Sequence, residues 1–138
     1  MTPQELRIGN WVMDRRGNEF QIDHWETRNK VSAKSNATMC MGVLMETHPL
    51  TEYVDYLKPI PLTEEWLLKF GFEKQDNNWK TLNLNFATIG WERLAGITLS
   101  FEMESIYLPH IEYVHQLQNL YFALTNEELK LQNNEKQK

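Results

Sequence analysis

Along most of the chain the apolar side chains fall on alternate positions in short runs, and three-and-four spacing is confined to two segments. Leu6, Ile8, Trp11 and Met13 open the pattern; Phe20 and Ile22 then alternate with Glu19, Gln21 and Asp23. Between them lies Asp14-Arg15-Arg16-Gly17-Asn18, with a glycine available for a positive φ, so residues 6–24 are predicted to form a β-hairpin. Residues 26–37 are polar and weakly patterned and read as a loop or a short irregular strand. Met39, Met41, Val43 and Met45 recur at every second position, which predicts a strand with one buried face, broken by His48-Pro49-Leu50-Thr51. Tyr53, Val54, Tyr56 and Leu57 suit a short strand or a single turn. Several short strands opened by Leu6-Arg7-Ile8-Gly9-Asn10-Trp11-Val12 fit an SH3-like curled sheet.

From Lys58-Pro59-Ile60-Pro61, an extended connector because each proline keeps its predecessor out of helical geometry, the signals change. Thr63 is placed as a helix N-cap, with Glu64 and Glu65 in the turn where the helix dipole favours acids. Leu62 and Leu67 occupy the positions of a hydrophobic staple, Trp66 and Phe70 share a face, and Gly71 suits a left-handed C-cap with Phe72 folding back on Leu67. A helix of roughly two turns is predicted. Leu82, Leu84 and Phe86 predict a strand, and Gly90 and Gly96 around Trp91 a loop. Ile97, Leu99, Phe101 and Met103 alternate most cleanly; the parity change at Glu104-Ser105, before Ile106 and Leu108, predicts a turn or bulge. A second helix is predicted over about 112–124, with Val114, Leu117, Tyr121 and Leu124 as its buried stripe. Thr125-Asn126-Glu127-Glu128 has capping-box spacing and predicts another helical turn.

The fold class expected is therefore α+β: a β-rich N-terminal half over 1–57, a helix–antiparallel strands–helix half over 58–131, and a flexible tail over 132–138. A chain of 138 residues, 41% hydrophobic and 24% charged, is ordinary globular material and long enough to bury a sizeable core. The formal charge of −5 argues against non-specific binding to nucleic acid, although Arg15, Arg16, Arg28, Lys30 and Lys34 make 15–34 the most basic stretch. One cysteine, Cys40, permits no internal disulfide; with no signal-peptide pattern and no long apolar run, a cytoplasmic protein without a membrane span is expected.

Two stretches carry a resemblance: Pro59-Ile60-Pro61-Leu62-Thr63-Glu64-Glu65-Trp66-Leu67-Leu68-Lys69-Phe70-Gly71-Phe72, and Ile111-Glu112-Tyr113-Val114-His115-Gln116-Leu117-Gln118-Asn119-Leu120-Tyr121-Phe122-Ala123-Leu124-Thr125. With the opening Leu6-Arg7-Ile8-Gly9-Asn10, they resemble a family of small uncharacterised proteins of gut anaerobic bacteria and their phages and prophages. That family usually has Thr-Gly-Glu-Glu-Leu after its last helix, where this chain has Thr125-Asn126-Glu127-Glu128-Leu129; asparagine also tolerates left-handed geometry. The resemblance implies a mobile-element setting and no particular chemistry.

Candidate chemistry is sparse. His110, Glu112 and His115 do not have the i, i+4 histidine spacing of a helical zinc site, so no metal site and no cofactor are expected. Cys40 between Met39 and Met41 has no base beside it and reads as structural. Glu102 and Glu104 share the parity of one strand face, which a solvent-facing edge explains. His115 and Asn119, one turn apart beside Gln116 and Gln118, form a polar group on the second helix. Trp11, Trp25, Trp79 and Trp91 read as lying in hairpins or loops, where tryptophan often anchors a partner. The contact residues singled out are Trp91, His115, Asn119, Trp11 and Trp25, with no catalytic set. The leading expectation is a non-enzymatic phage or prophage accessory protein that binds a protein partner. A small-ligand, nucleotide or enzymatic pocket near His115, Asn119 and Trp91, and a nucleic-acid surface over 15–34, are the alternatives.

Overall fold

Asp14 shows how local chemistry makes the first hairpin. One carboxylate oxygen accepts the backbone N–H groups of Arg16 (2.8 Å) and Asn18 (2.9 Å), and the other accepts the Asn18 side-chain amide (3.1 Å). The aspartate thus stands in for the backbone partners that the reversing turn lacks. Gly17, at φ +88°, takes the left-handed position. The structure, a computed structural model, describes residues 3–27, 30–33, 37–40, 43–46, 51–76 and 78–132. The chain divides into two compact units, Met1–Ile60 and Pro61–Lys138.

In the first unit β1 (Trp11–Met13), β2 (Glu19–Thr27), β3 (Lys30–Ala33) and β6 (Thr51–Tyr53) form an antiparallel sheet in the order β1-β2-β3-β6. A separate hairpin pairs β4 (Ala37–Cys40) with β5 (Val43–Glu46). After β6 a 3-10 turn, Val54–Tyr56, brings the chain back to β1: Met13 N–H donates to the Lys58 carbonyl (2.9 Å) and Lys58 N–H to that of Met13 (2.8 Å). An isolated antiparallel bridge, Met13 to Lys58, thus joins the segment after the turn to β1, and among the described residues the sheet does not close into a barrel. Leu6, Val12, Phe20, Ile22, Val31, Val54 and Leu57 form its core, with Trp25 packed against it.

Two expectations change in this unit, and a third, over 26–37, resolves into its strand alternative with an irregular register. The predicted hairpin strand begins at Trp11 and not at Leu6, because Gly9 (φ +99°) and the buried Asn10, whose side chain accepts the Arg7 N–H at 2.7 Å, fold residues 6–10 into a turn. The weakly patterned stretch 26–37 supplies the end of β2, all of β3 and the start of β4. The single strand expected over 39–45 is instead two strands paired with each other. The burial of that methionine stretch, the side chain of Cys40, the break at His48–Leu50 and the tail from 133 on lie outside the described residues.

The second unit follows its local signals closely. Thr63 caps α1 (Glu64–Lys69), its hydroxyl accepting the Trp66 N–H at 3.4 Å. Gly71 turns left-handed at φ +96°, and the Gly71 and Phe72 N–H groups bond back to Leu68 and Leu67 carbonyls, the paired closure of a Schellman stop. β7 (Glu73–Asp76), β8 (Trp79–Asn83), β9 (Thr88–Glu92), β10 (Gly96–Phe101) and β11 (Glu104–Leu108) form an antiparallel meander. α2 (Val114–Thr125) starts where Gln116 Oε1 accepts the Glu112 and Tyr113 N–H groups at 2.8 and 3.1 Å. The segments leading into the two helices are joined by Leu62 N–H to the Glu112 carbonyl, 3.0 Å.

Here too some expectations are corrected. The strand expected through Phe86 stops at Asn83, since Leu84 N–H closes a turn onto the Ala87 carbonyl (2.7 Å) and leaves Phe86 exposed. Residues 90–92, expected in a loop, belong to β9, and the turn is confined to 93–95. Glu102 lies in the β10–β11 turn and Glu104 on β11, so they do not sit on one strand. No further helical turn follows Thr125: Asn126 is left-handed (φ 60°), and Thr125 Oγ1 accepts the Glu127 N–H at 3.1 Å. The following segment is held, with Leu129 buried and Gln132 N–H bonded to the Lys69 carbonyl.

Candidate functional site

Register on the meander creates a row that the linear sequence does not display. Trp79 on β8 is the direct partner of Asp76 on β7 and of Glu92 on β9. Directly opposed residues of antiparallel strands point to the same face with Cβ atoms about 5 Å apart. One indole is therefore flanked by two carboxylates. Asp76, Asn78, Trp79 and Glu92 line an open cleft of about 480 Å³ at this end of the sheet.

The indole has a built seat. A Cβ on Gly90 would lie 3.0 Å from Cη2 and 3.1 Å from Cζ2 of Trp79, and 2.8 Å from Thr98 Oγ1. The benzenoid ring thus rests against the Gly90 backbone, and only glycine leaves it room. Asp76 accepts the Asn78 N–H (2.7 Å), which closes the β7–β8 turn, and Arg93 N–H bonds to the Asn78 carbonyl (3.0 Å), which ties that turn to the next. Among the described residues Glu92 makes no ion pair. The same face continues in hydroxyls and amides: Gln75 donates to Thr81 Oγ1 (2.9 Å), and Ser100 pairs with Ser105 (2.9 Å). The arrangement offers a fixed π-surface, negative charge on both sides and hydrogen-bonding neighbours.

The opposite face of β8 carries Lys80, whose side chain is only 1% exposed. Its ammonium lies 3.3 Å from Glu64 Oε2 in the first turn of α1 and 5.1 Å from the ring centre of Trp91, its cross-strand partner. The contact with Glu64 is an ion pair by distance without hydrogen-bond alignment. A lysine so enclosed is rare unless paired.

None of the five contact residues singled out from the sequence is among those that line the cleft. Trp91 is half-buried on β9 and engaged with Lys80. His115 is 1% exposed and stacks on Tyr113 (6.1 Å between centres, 10° between planes); Asn119 is half-buried. Trp11 and Trp25 belong to the first unit, half-buried on β1 and β2. Trp11, Trp25, Trp79 and Trp91 all sit on strands of antiparallel hairpins; of these, Trp91 was expected in a loop, and it lies on β9 because Gly90 beside it serves close packing within the strand. In the basic stretch, Arg15 lies over the Tyr56 ring (4.2 Å) and Lys30 over that of Tyr53 (5.1 Å); Arg28 and Lys34 lie outside the described residues.

Sequence reasoning missed Asp76, Asn78, Glu92 and the Lys80–Glu64 pair, and named Trp79 without placing it at a site. Gly90 in an otherwise strand-like run was the available signal, since a glycine inside a strand often marks a close approach. Among the described residues no group of three His, Cys, Asp or Glu side chains is placed to hold a metal ion, and no helix is long and apolar enough to cross a membrane. Compared with known proteins, the chain matches no family model, no curated protein and no solved structure.

Proposed function

We propose that this is a non-enzymatic accessory protein that works by binding a protein partner, and that the Trp79 cleft is its contact surface. The observation that carries the reading is the indole held against Gly90, half-buried at the edge of the cleft it lines, between Asp76 and Glu92. A tryptophan that is already immobilised loses little side-chain freedom on association, and tryptophans dominate binding energy at interfaces. The phage or prophage setting, with a host-directed or counter-defence role, comes from the resemblance of the helix-bearing motifs to the gut-anaerobe family.

The test uses the full chain and its Trp79→Ala variant as baits, with circular dichroism to check that both fold. A partner retained by the parent chain and lost from the variant is the expected result. A partner retained equally by both would show that the contact surface lies elsewhere.

A further inference from the structure

We infer that the Trp79 cleft takes the guanidinium of an arginine side chain presented by the partner protein, an assignment that rests on the cleft being the contact surface. Three observations point to a cation. The indole offers a π-face, which attracts positive charge. Carboxylates stand on both sides of it in one cross-strand row, Asp76–Trp79–Glu92. From Pro61 onward eleven acids stand against seven bases, a formal −4, a balance that favours a cationic partner over an anionic one.

The cations of this unit nearest in sequence are otherwise placed. Lys80 sits on the opposite face with Glu64 and Trp91, and Lys74, its cross-strand partner, shares that face. Arg93, next to Glu92, is exposed in the turn and makes no ion pair or ring contact among the described residues. The cleft is thus not filled by the unit's own arginine.

Arginine fits better than lysine for a geometric reason. A guanidinium is flat, stacks on an indole, and carries N–H donors on opposite edges, so one group can meet the ring below it and a carboxylate at each side. An ammonium is a point charge, holds its water more tightly and cannot stack. Asn78, at the rim, adds an amide that can hydrogen-bond the backbone of the incoming residue.

The experiment titrates the full chain with N-acetyl-arginine amide, and separately with the lysine and citrulline amides. It follows the Trp79 indole N–H signal by NMR, assigned by its loss in Trp79→Phe. Expected is a saturable shift with the arginine amide, weakened by salt and about tenfold weaker in Glu92→Gln, with little response to lysine and none to citrulline. A response to citrulline equal to that for arginine, equal binding of lysine, an unaffected Glu92→Gln variant, or no shift with arginine would each overturn the assignment. If the bait experiment depends on Trp79 while arginine amide moves nothing, the ligand class fails and the contact surface stands. If arginine amide binds while partner capture ignores Trp79, the contact surface fails instead.

Discussion

The buried lysine gives the sharpest test of the energetics. Lys80 and Glu64 are 3.3 Å apart, with side-chain exposures of 1% and 45%. At an effective dielectric near 20, unit charges at that separation attract by about 5 kcal/mol. Glu64 is half in water, so screening removes much of this, while Lys80 has borne nearly the whole cost of leaving water. Glu64→Gln leaves that cost standing with only the Trp91 ring to offset it, and should destabilise the second unit by about 2 kcal/mol. For a unit of this size that lowers the melting temperature by about 8–16 °C. Lys80→Met keeps the apolar stem's volume and removes the buried charge, so it should cost less than about 1 kcal/mol or stabilise. In the double variant the Glu64→Gln effect should nearly vanish. Urea unfolding, followed through the NMR signals of Ile89 and Leu117, measures all three. A Lys80→Met variant less stable than Glu64→Gln, or additive effects in the double variant, would refute the reasoning.

Three other outcomes are expected. Gly90→Ala should displace the Trp79 ring or Thr98 and cost about 1–3 kcal/mol, seen as a melting shift together with a moved Trp79 indole signal. Gly71→Ala, at φ +96° with Gln132 only 3.0 Å from the new Cβ, should cost about 1 kcal/mol or more in thermal unfolding. Burial pushes the Asp14 carboxyl up, but the Asn18 backbone and side-chain donors, the Arg16 N–H and the Arg16 charge outweigh it and hold the group below the usual aspartate range. Its stabilisation of the first unit is therefore complete above about pH 4 and lost as pH falls through the lower folded value. Asp14→Asn should cost about 1–2 kcal/mol at neutral pH and flatten the acid limb of an unfolding-versus-pH profile.

How much was legible depended on the range of the interaction. α1 could be read because its parts lie within ten residues: Thr63 caps, Gly71 stops, and Leu67 and Phe72 close the end through one backbone bond. Asn126 shows the opposite case. Thr125-Asn126-Glu127-Glu128 suits either a new helical turn or a left-handed stop, and the stop prevails as the chain returns to α1 through Gln132. On α2, His115 and Gln118 looked like part of a polar face, yet both are buried, so the packed face is wider than its apolar stripe.

The sequence by itself determined the α+β class, both ends of α1, the first turn around Asp14 and the alternating strand Ile97–Phe101, since each rests on neighbours a few residues apart. Tertiary structure alone decided that Asp76, Trp79 and Glu92 form one row, that Lys80 lies buried on the opposite face, and that Gly90 seats an indole. The reason is register: turn lengths and the β7 bulge set which residues oppose one another, and a shift of one position would send every side chain of a strand to the other face.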